Sequence, residues 1–320
     1  MSEIAATTAD LLALESAASG QVAISALRGG TFTLPKKLFV SGSADDERTL
    51  VPSLSFLLLC ESREGKRRRI IFDLGLRRDV DAYTPQLQAH VRNRQPMRTF
   101  PDVRQGLLDG NLDPGAIDEV ILSHVHWDHI GTPSDFPCAR FFVGAGSLAL
   151  LTAGMSGHMS HSNFQHDLFD NMDVREFTDP GTPGDDEESG SETGWRSAGG
   201  LRILDISSDG AVYAVDSPGH LTGHVALLAR RGPRRWVLLI GDACHDGRLL
   251  TGEREIAQWT DDEGRACCIH ADKETATATL ASFARWKQAS EQCGIDLQII
   301  FAHDAEWAQS HAEAFFPGTI

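Results

Sequence analysis

The chain has 320 residues, 41% of them hydrophobic and 23% charged, which is typical of a globular protein and excludes a wholly disordered, collagen-like or coiled-coil chain. Its 29 Lys and Arg residues against 45 Asp and Glu residues give a formal net charge of −16, and such a surface repels nucleic-acid phosphates and anionic membranes. The 13 His residues stand out, because His is the commonest metal ligand and a frequent general base.

The amino-terminal segment and the cysteines predict a soluble, cytoplasmic protein. Residues 1–20 have no basic start, and their short apolar run is flanked by Asp10 and Glu15, which is unlike a signal peptide. No stretch reaches the ~20 consecutive apolar residues that span a bilayer. The six Cys residues form no CxxC pair, so we expect reduced thiols.

Strand and helix patterns alternate along the first half of the chain. The basic cluster 66–69 is predicted to be a solvated hairpin tip, because it lies between strands and has no aromatic residues among its charges. The predicted strands are 22–26, 54–59, 69–73, 119–123 and 140–143, and the predicted helices are 79–94, 102–108 and 146–152.

Two central segments do not follow this pattern. Segment 154–171 carries His158, His161 and His166, whose spacing favours a polar face or a pocket rim over a third metal site. Residues 179–194 are rich in Pro, Gly, Ser, Thr and acidic residues, which predicts a flexible acidic surface insertion without chemistry.

The second half repeats the order of strands followed by helices. Two such sets predict two β-sheets packed face to face with helices outside, within a single domain that covers residues 1–320. The predicted strands are 201–206, 211–215, 224–229, 236–240 and 295–301, and the predicted helices are 273–292 and 305–315.

An HxHxDH motif, made of His124, His126, Asp128 and His129, directly follows the predicted strand 119–123. Alternate residues of an extended chain point the same way, so the first two His side chains can face one ion. The Asp and the last His follow a turn and can face a second ion. Imidazole and carboxylate ligands without thiolate are typical of hydrolytic Zn²⁺ or similar divalent sites.

A site for two ions needs further ligands, and three later strand ends supply His or Asp residues. These are His220 and His224 in a PGHxxGH motif after strand 211–215, Asp242 after strand 236–240, and His303 after strand 295–301.

In this order the motifs resemble those of the metallo-β-lactamase superfamily, over roughly residues 54–303. The resemblance implies an α/β (α+β) fold, a four-layer αβ/βα sandwich, with two Zn²⁺ or other divalent transition metals at one edge of the sheets. It implies that His224 is structural. The implied ligands are His124, His126 and His220 for the first ion, Asp128, His129 and His303 for the second, and Asp242 bridging both.

Several features resemble the N-acyl homoserine lactonase-like branch, which is associated with quorum quenching. They are the complete second ligand set, the His303–Asp304 pair and the extra segment 154–171. One residue departs from this branch: its lactonases carry a Tyr three residues after the bridging Asp, where this chain has His245. A His can donate a similar hydrogen bond, but the difference leaves the actual lactone open.

The expected activity is hydrolysis of a small lactone, lactam or ester. A metal-bridging hydroxide would attack the carbonyl, His245 would help to hold the oxyanion, and Asp128 would pass a proton to the leaving group. The alternatives are a glyoxalase II-like thioesterase and a non-catalytic metal-binding scaffold. No nucleic-acid or membrane partner is expected, and a homodimer is compatible with the sequence.

For other residues near the motifs, the sequence indicates either a structural role or two roles between which it does not decide. Asp73 and Asp304 could each orient a ligating His, although a turn role fits Asp73 equally well. Trp127 could line the pocket or pack beneath the motif, and Cys244 is predicted to be a packed thiol. Three further His residues are predicted to lie on the surface: His90, His270 and His311.

Overall fold

The first of two six-stranded sheets is built by the amino-terminal half of the chain. The computed structural model describes residues 2–61, 67–155, 163–181 and 194–320. The strands of this sheet lie in chain order, antiparallel for the first three and parallel from the third to the sixth. They are β1 (Val22–Pro35), β2 (Arg48–Glu61), β3 (Arg67–Phe72), β4 (Glu119–Ile121), β5 (Arg140–Val143) and β6 (Val174–Glu176).

The second sheet comes from the carboxy-terminal half. Its strands are β7 (Arg196–Ala198), β8 (Leu201–Asp205), β9 (Val212–Asp216), β10 (Val225–Gly232), β11 (Arg235–Leu239) and β14 (Asp296–Ile300). Their order is β14-β11-β10-β9-β8-β7, with β11 and β14 parallel and the other neighbours antiparallel. Two short strands, β12 (Trp259–Thr260) and β13 (Ala266–Cys267), pair separately.

The described part of the chain contains seven α-helices. They are α1 (Glu3–Ala17), α2 (Pro85–Val91), α3 (Val103–Asp109), α4 (Ser147–Ala153), α5 (Gly247–Leu250), α6 (Lys273–Cys293) and α7 (Ala305–Ser310). Helix α6 begins where the Asp272 side chain accepts a hydrogen bond from the Thr275 amide, and it ends at Gly294, whose φ of 67° is left-handed. Helix α1 packs against α6 on the second sheet, and α3 packs against β1 of the first.

The alternation of apolar residues along the strands produces this layered core. In β2, Phe56 and Leu58 belong to the buried cluster between the sheets, which also contains Leu227 of β10. Leu57 points the opposite way and joins a cluster with helical residues such as Leu107. The four-layer sandwich predicted from the sequence is therefore confirmed.

Some predicted elements differ in extent. The predicted helix 79–94 is divided, because Pro85 starts α2 and short 3₁₀ turns flank it at Val80–Ala82 and Arg92–Arg94. His158, His161 and most of the predicted acidic insertion 179–194 lie outside the described residues, whereas His166 is exposed. Among the described residues, no helix combines the length and apolar character needed to span a membrane.

Candidate metal centre

The loop after β4 carries the HxHxDH motif and is fixed by a buried carboxylate. Asp73, which follows β3, accepts hydrogen bonds from the Ser123 amide at 2.6 Å and from the Ser123 hydroxyl at 2.7 Å. The same carboxylate lies 2.8 Å from Nδ1 of His129. Asp73 therefore holds the loop and orients one candidate ligand, which unites the two roles considered for it.

The PGHxxGH loop after β9 lies close to the start of α6. Gly219 has a φ of 116°, and a Cβ at this position would lie 2.2 Å from the backbone nitrogen of Ala276. Only glycine combines this conformation with this approach. The close packing brings His220 to the edge of the sheets where the first loop ends.

The side chains of all seven predicted ligands lie together at this edge. They form two groups, each with its candidate donor atoms within 4.8 Å of one another. The first group is His124, His126, His220 and Asp242, and the second is Asp128, His129, Asp242 and His303. Asp242 is the member that the two groups share.

The two carboxylate oxygens of Asp242 face different groups. Oδ1 lies 3.1 Å from Nε2 of His129 and 3.0 Å from Nε2 of His303. Oδ2 lies 3.6 Å from Nε2 of His220 and 3.9 Å from Nε2 of His124. This is the geometry expected of a carboxylate placed between two cations.

The donor set fits divalent cations. Oδ1 of Asp242 and Nε2 of His129 are buried without a hydrogen bond among the described residues, although they lie 3.1 Å apart. In the first group, Nδ1 of His126 lies 2.8 Å from Nε2 of His124 and 3.1 Å from Nε2 of His220. A cation at each group would use these converging lone pairs, and nitrogen and oxygen donors without sulfur suit Zn²⁺ and similar metals.

The charges of the cluster favour the metal-binding protonation states of its first group. Burial lowers the pKa of His124 and His220 well below the usual value for His, and repulsion between neighbouring His side chains adds to this effect. Burial alone would raise the pKa of Asp242, but His303 and His129 outweigh it and hold that pKa well below its usual range. Neutral imidazole and ionised carboxylate are the forms that bind metals.

In the second group, the neighbouring carboxylates raise the pKa values of the imidazoles instead of leaving them lowered. Burial would lower the pKa values of His129 and His303, but the carboxylate of Asp242 outweighs it and raises both. Burial raises the pKa of Asp128, and the attraction of His129 only partly opposes this. A cation in this group would displace the protons and take over their charge.

Hydrogen bonds from neighbouring groups orient the candidate ligand His303 and the structural residue His224. Nδ1 of His303 donates to the Pro52 carbonyl at 2.8 Å. His224 contacts the Ser217 hydroxyl through Nδ1 at 2.7 Å, and its Nε2 accepts the backbone N–H of Asp242 at 3.2 Å. His224 thus has the structural position expected for it.

The expectation that Asp304 orients a ligating His is wrong. Its carboxylate accepts a hydrogen bond from the Trp307 amide at 2.8 Å and caps α7. Among the described residues, no imidazole nitrogen of the cluster lies within 4.0 Å of this carboxylate, which therefore caps the helix rather than orienting a ligand.

The prediction that His270 lies on the surface is also wrong. It is 1% exposed, and its Nδ1 lies 3.2 Å from Nδ1 of His220. The backbone explains this position, since the Ala271 amide donates to the His220 carbonyl and the Asp272 amide to the Gly219 carbonyl, both at 2.9 Å. His270 belongs to no motif, so sequence reasoning missed it.

The other two His residues predicted to be on the surface are half-buried. The His90 ring lies 5.8 Å from the ring of Trp127, and the His311 ring stacks on Trp307 at 4.9 Å. Cys244 is fully buried, donates to the Asp246 carbonyl, and has its pKa raised to about 12 by burial, as expected of a packed thiol.

Two neighbouring cavities lead to the cluster. A small one of about 30 Å³ is lined by Asp128, Asp242 and Trp127, whose ring also packs on Phe32. A larger one of about 450 Å³ has a mixed lining, in which apolar side chains such as Phe39 lie beside charged ones such as Lys36 and Glu306. His245 lines both cavities, with Nε2 3.1 Å from Oδ2 of Asp242 and with Nδ1 buried without a hydrogen bond among the described residues.

The sequence of this chain is similar to parts of several known fungal proteins. No family model matches the chain. It is 29% identical over 214 residues to a cytochrome P450 monooxygenase of Penicillium brevicompactum, a match that covers 63% of this chain and 23% of that protein. It is 27% identical over 233 residues to a gamma-lactamase of Fusarium pseudograminearum, covering 66% of this chain and 50% of the relative. The chain therefore spans between about a quarter and a half of the length of these relatives.

A solved structure extends the likeness over nearly the whole fold. An N-acyl homoserine lactone hydrolase with the product N-hexanoyl-L-homoserine at its catalytic metal centre superposes with a TM-score of 0.63 at 18% identity. The superposition covers 93% of this chain and 98% of the other. The two packed sheets and this superposition show that the chain has the metallo-β-lactamase sandwich fold of the N-acyl homoserine lactonases, and the motif order agrees with that fold.

Proposed function

We propose that the protein is a dinuclear zinc-dependent hydrolase that opens a lactone or lactam ring. The observation that carries this proposal is Asp242, which directs one carboxylate oxygen to each of two His- and Asp-lined groups. Two bound divalent cations would supply a water that is ionised near neutral pH and a polarised substrate carbonyl. The match to a gamma-lactamase and the lactonase fold support a cyclic ester or amide as the substrate.

Side chains of the cluster would bind the metals, hold the substrate oxyanion and transfer the proton. His124, His126 and His220 would hold one ion, Asp128, His129 and His303 the other, and Asp242 both. His245 is placed to help hold the oxyanion: with both ring nitrogens protonated, Nε2 donates to Asp242 and Nδ1, which has no hydrogen-bond partner among the described residues, donates to the substrate carbonyl oxygen. Asp128, whose pKa is raised by burial, would carry the proton to the leaving group.

The larger cavity supports a small-molecule substrate with an apolar part. Leu34, Phe39, Val51 and Trp307 lie in its wall, and it meets the cluster at His245 and His303. The six free cysteines support a reducing, cytoplasmic setting.

Metal analysis and substitution of Asp242 test the proposal. Protein purified from zinc-supplemented expression should contain about two ions per chain by this ligand count. Asp242→Ala should lose metal and lower hydrolysis at least ~10²-fold, because the ligand shared by both ions is removed. The matched control is Asp262→Ala, an exposed Asp outside the cluster. One ion or none in the wild-type protein, or a fully active Asp242→Ala variant, would refute the dinuclear site.

A substrate panel separates the proposed activity from its alternatives. It comprises acyl-homoserine lactones, simple γ-lactones, γ-lactams and glutathione thioesters, each with the zinc-loaded protein. Preference for the thioesters would favour a glyoxalase II-like enzyme, and a metal-loaded protein that hydrolyses none of them would favour a binding scaffold. His245→Ala should keep its metal and lower kcat by ~10²-fold, the usual effect of losing one oxyanion donor.

A further inference from the structure

A buried arginine lines the small cavity at the metal cluster. Arg94 ends the 3₁₀ turn that follows α2, and it is 7% exposed. It shares the cavity wall with Asp128, Asp242 and His245. Neither the motifs nor the roles assigned so far account for a cation at this position.

The guanidinium of Arg94 has little compensation for its charge. One terminal nitrogen lies 3.4 Å from Nε2 of His90, and Nε is buried without a hydrogen bond to any described residue. Among the residues that the structure describes, no carboxylate comes within 4.0 Å of it. Burial lowers the pKa of Arg94, Asp128 attracts the charge from a distance, and Arg48 repels it.

Bound cations would leave Arg94 still more isolated. Asp128 would then share its charge with an ion, and two divalent cations carry more positive charge than Asp128 and Asp242 neutralise together. A buried charge without a partner is costly, and an apolar side chain would fill this volume at lower cost. The small cavity beside Arg94 is therefore suited to bind an anionic group.

We propose that Arg94 binds a carboxylate carried by the ring-shaped substrate, and so selects acidic lactones or lactams. This inference rests on the proposed function. A carboxylate fits better than a neutral carbonyl oxygen, because a carbonyl would satisfy one N–H but leave the positive charge uncompensated. The planar guanidinium can also accept a carboxylate in a two-point contact, which fixes the orientation of the ring toward the metals.

The test uses the zinc-loaded full-length protein and pairs of ligands that differ in one charge. The ligands are γ-butyrolactones with a carboxylate on the β or the γ carbon, and the matching primary carboxamides. Wild-type protein should prefer at least one carboxylate over its carboxamide by about tenfold or more in kcat/KM. Arg94→Met should remove that preference, and Arg94→Lys should retain part of it. Arg92→Met, on the same turn but exposed, is the matched control and should leave the preference unchanged.

Calorimetric titration with the corresponding γ-lactams measures affinity independently of turnover. A tenfold tighter Kd for the carboxylate than for the carboxamide, lost in Arg94→Met, would support the proposal even if the protein opens none of the rings. The absence of ring opening would refute only the proposed hydrolase activity. Equal kcat/KM and Kd for both members of each pair would overturn the role of Arg94 while leaving ring hydrolysis intact. A preference that persists in a folded Arg94→Met variant would overturn it as well.

Discussion

At the scale of single residues, the orientation of His220 depends on a side chain fifty positions away. His270 reaches Nδ1 of His220 because the backbone of residues 271 and 272 pairs with the PGHxxGH loop. One of the two Nδ1 atoms donates to the other, which leaves Nε2 of His220 directed toward Asp242. Partners of this kind fix the ring orientation of metal-ligating His residues.

We therefore expect His270→Leu to weaken metal binding at the first group. The affinity for Zn²⁺ should fall about 10- to 100-fold, the usual effect of losing a group that orients a ligand. Competition with a chromophoric chelator measures the affinity, and His270→Asn should recover part of it because the amide can still hydrogen-bond. His166→Leu, at an exposed position, serves as the control. Equal affinities of wild type and His270→Leu would show that His270 only fills space.

At the scale of elements, the sequence predicted the strands that carry apolar runs. It missed strand segments that form only because a neighbouring strand pairs with them. Strand β5 coincides with the prediction, whereas β1 continues nine residues beyond the predicted end at Ala26. The pair Gly29 and Gly30 looks like a break, but Gly30 adopts a φ of 93° within an irregular register that lets the strand resume at Thr31.

Helix α1 was not predicted because its buried face is small, with Thr7, Leu11 and Leu14 as its buried residues. The metal cluster was more accessible to prediction than these elements, because each candidate ligand stands in a short motif at a strand end. His270 and Arg94 stand in none, and tertiary contacts alone bring them to the site.

Polar contacts from Glu15 attach α1 to the second sheet. Its carboxylate accepts hydrogen bonds from Arg230, from the Arg234 amide at 3.0 Å and from the Trp236 indole at 2.8 Å. Burial alone would raise the pKa of Glu15, but these contacts outweigh it and lower the pKa to about 2. Ionised Glu15 therefore stabilises the fold fully above pH ~4.5, and this contribution is lost as the pH falls toward 2.

Glu15→Gln should lower the free energy of unfolding at pH 7 by about 1–3 kcal/mol, the usual value for charge-assisted hydrogen bonds. The difference from wild type should narrow steadily from pH 4.5 toward pH 2, because the Glu15 carboxylate of the unfolded chain takes up a proton in this range while that of the folded chain stays ionised. Urea titrations at several pH values, with equal metal loading, measure both effects. Glu291→Gln, at an exposed position on α6, should change stability by less than ~0.5 kcal/mol. A pH-independent difference would contradict the ionic contribution of Glu15.

At the scale of the whole molecule, the candidate metal centre connects the two sheets. Four of its candidate ligands follow β4 of the first sheet, and the other three, His220, Asp242 and His303, follow β9, β11 and β14 of the second. The two halves of the chain thus contribute to one buried cluster, and bound cations would hold their loop ends together. Without cations, the raised pKa values of His129 and His303 favour protons on these two imidazoles, which would balance the buried carboxylates.

Metal removal should therefore lower the thermal stability of the entire fold. An ion that binds the native state alone stabilises it by about 2.7 kcal/mol when its free concentration is 100 times its Kd, so two such ions contribute about twice that value. Calorimetry of chelated and zinc-reloaded protein should show a Tm lower by several degrees without metal and restored by Zn²⁺. Mg²⁺ should not restore it, because this ion prefers oxygen ligands and water.

The Asp242→Ala variant distinguishes this effect from non-specific ones. Because it lacks the ligand shared by both groups, its Tm should respond much less to chelation and to added Zn²⁺ than that of the wild type. An equal response in both proteins would place the stabilising ion elsewhere. If wild-type Tm were the same with and without metal, the cluster would not join the sheets through cations, since a ligand that binds only the native state must raise its stability.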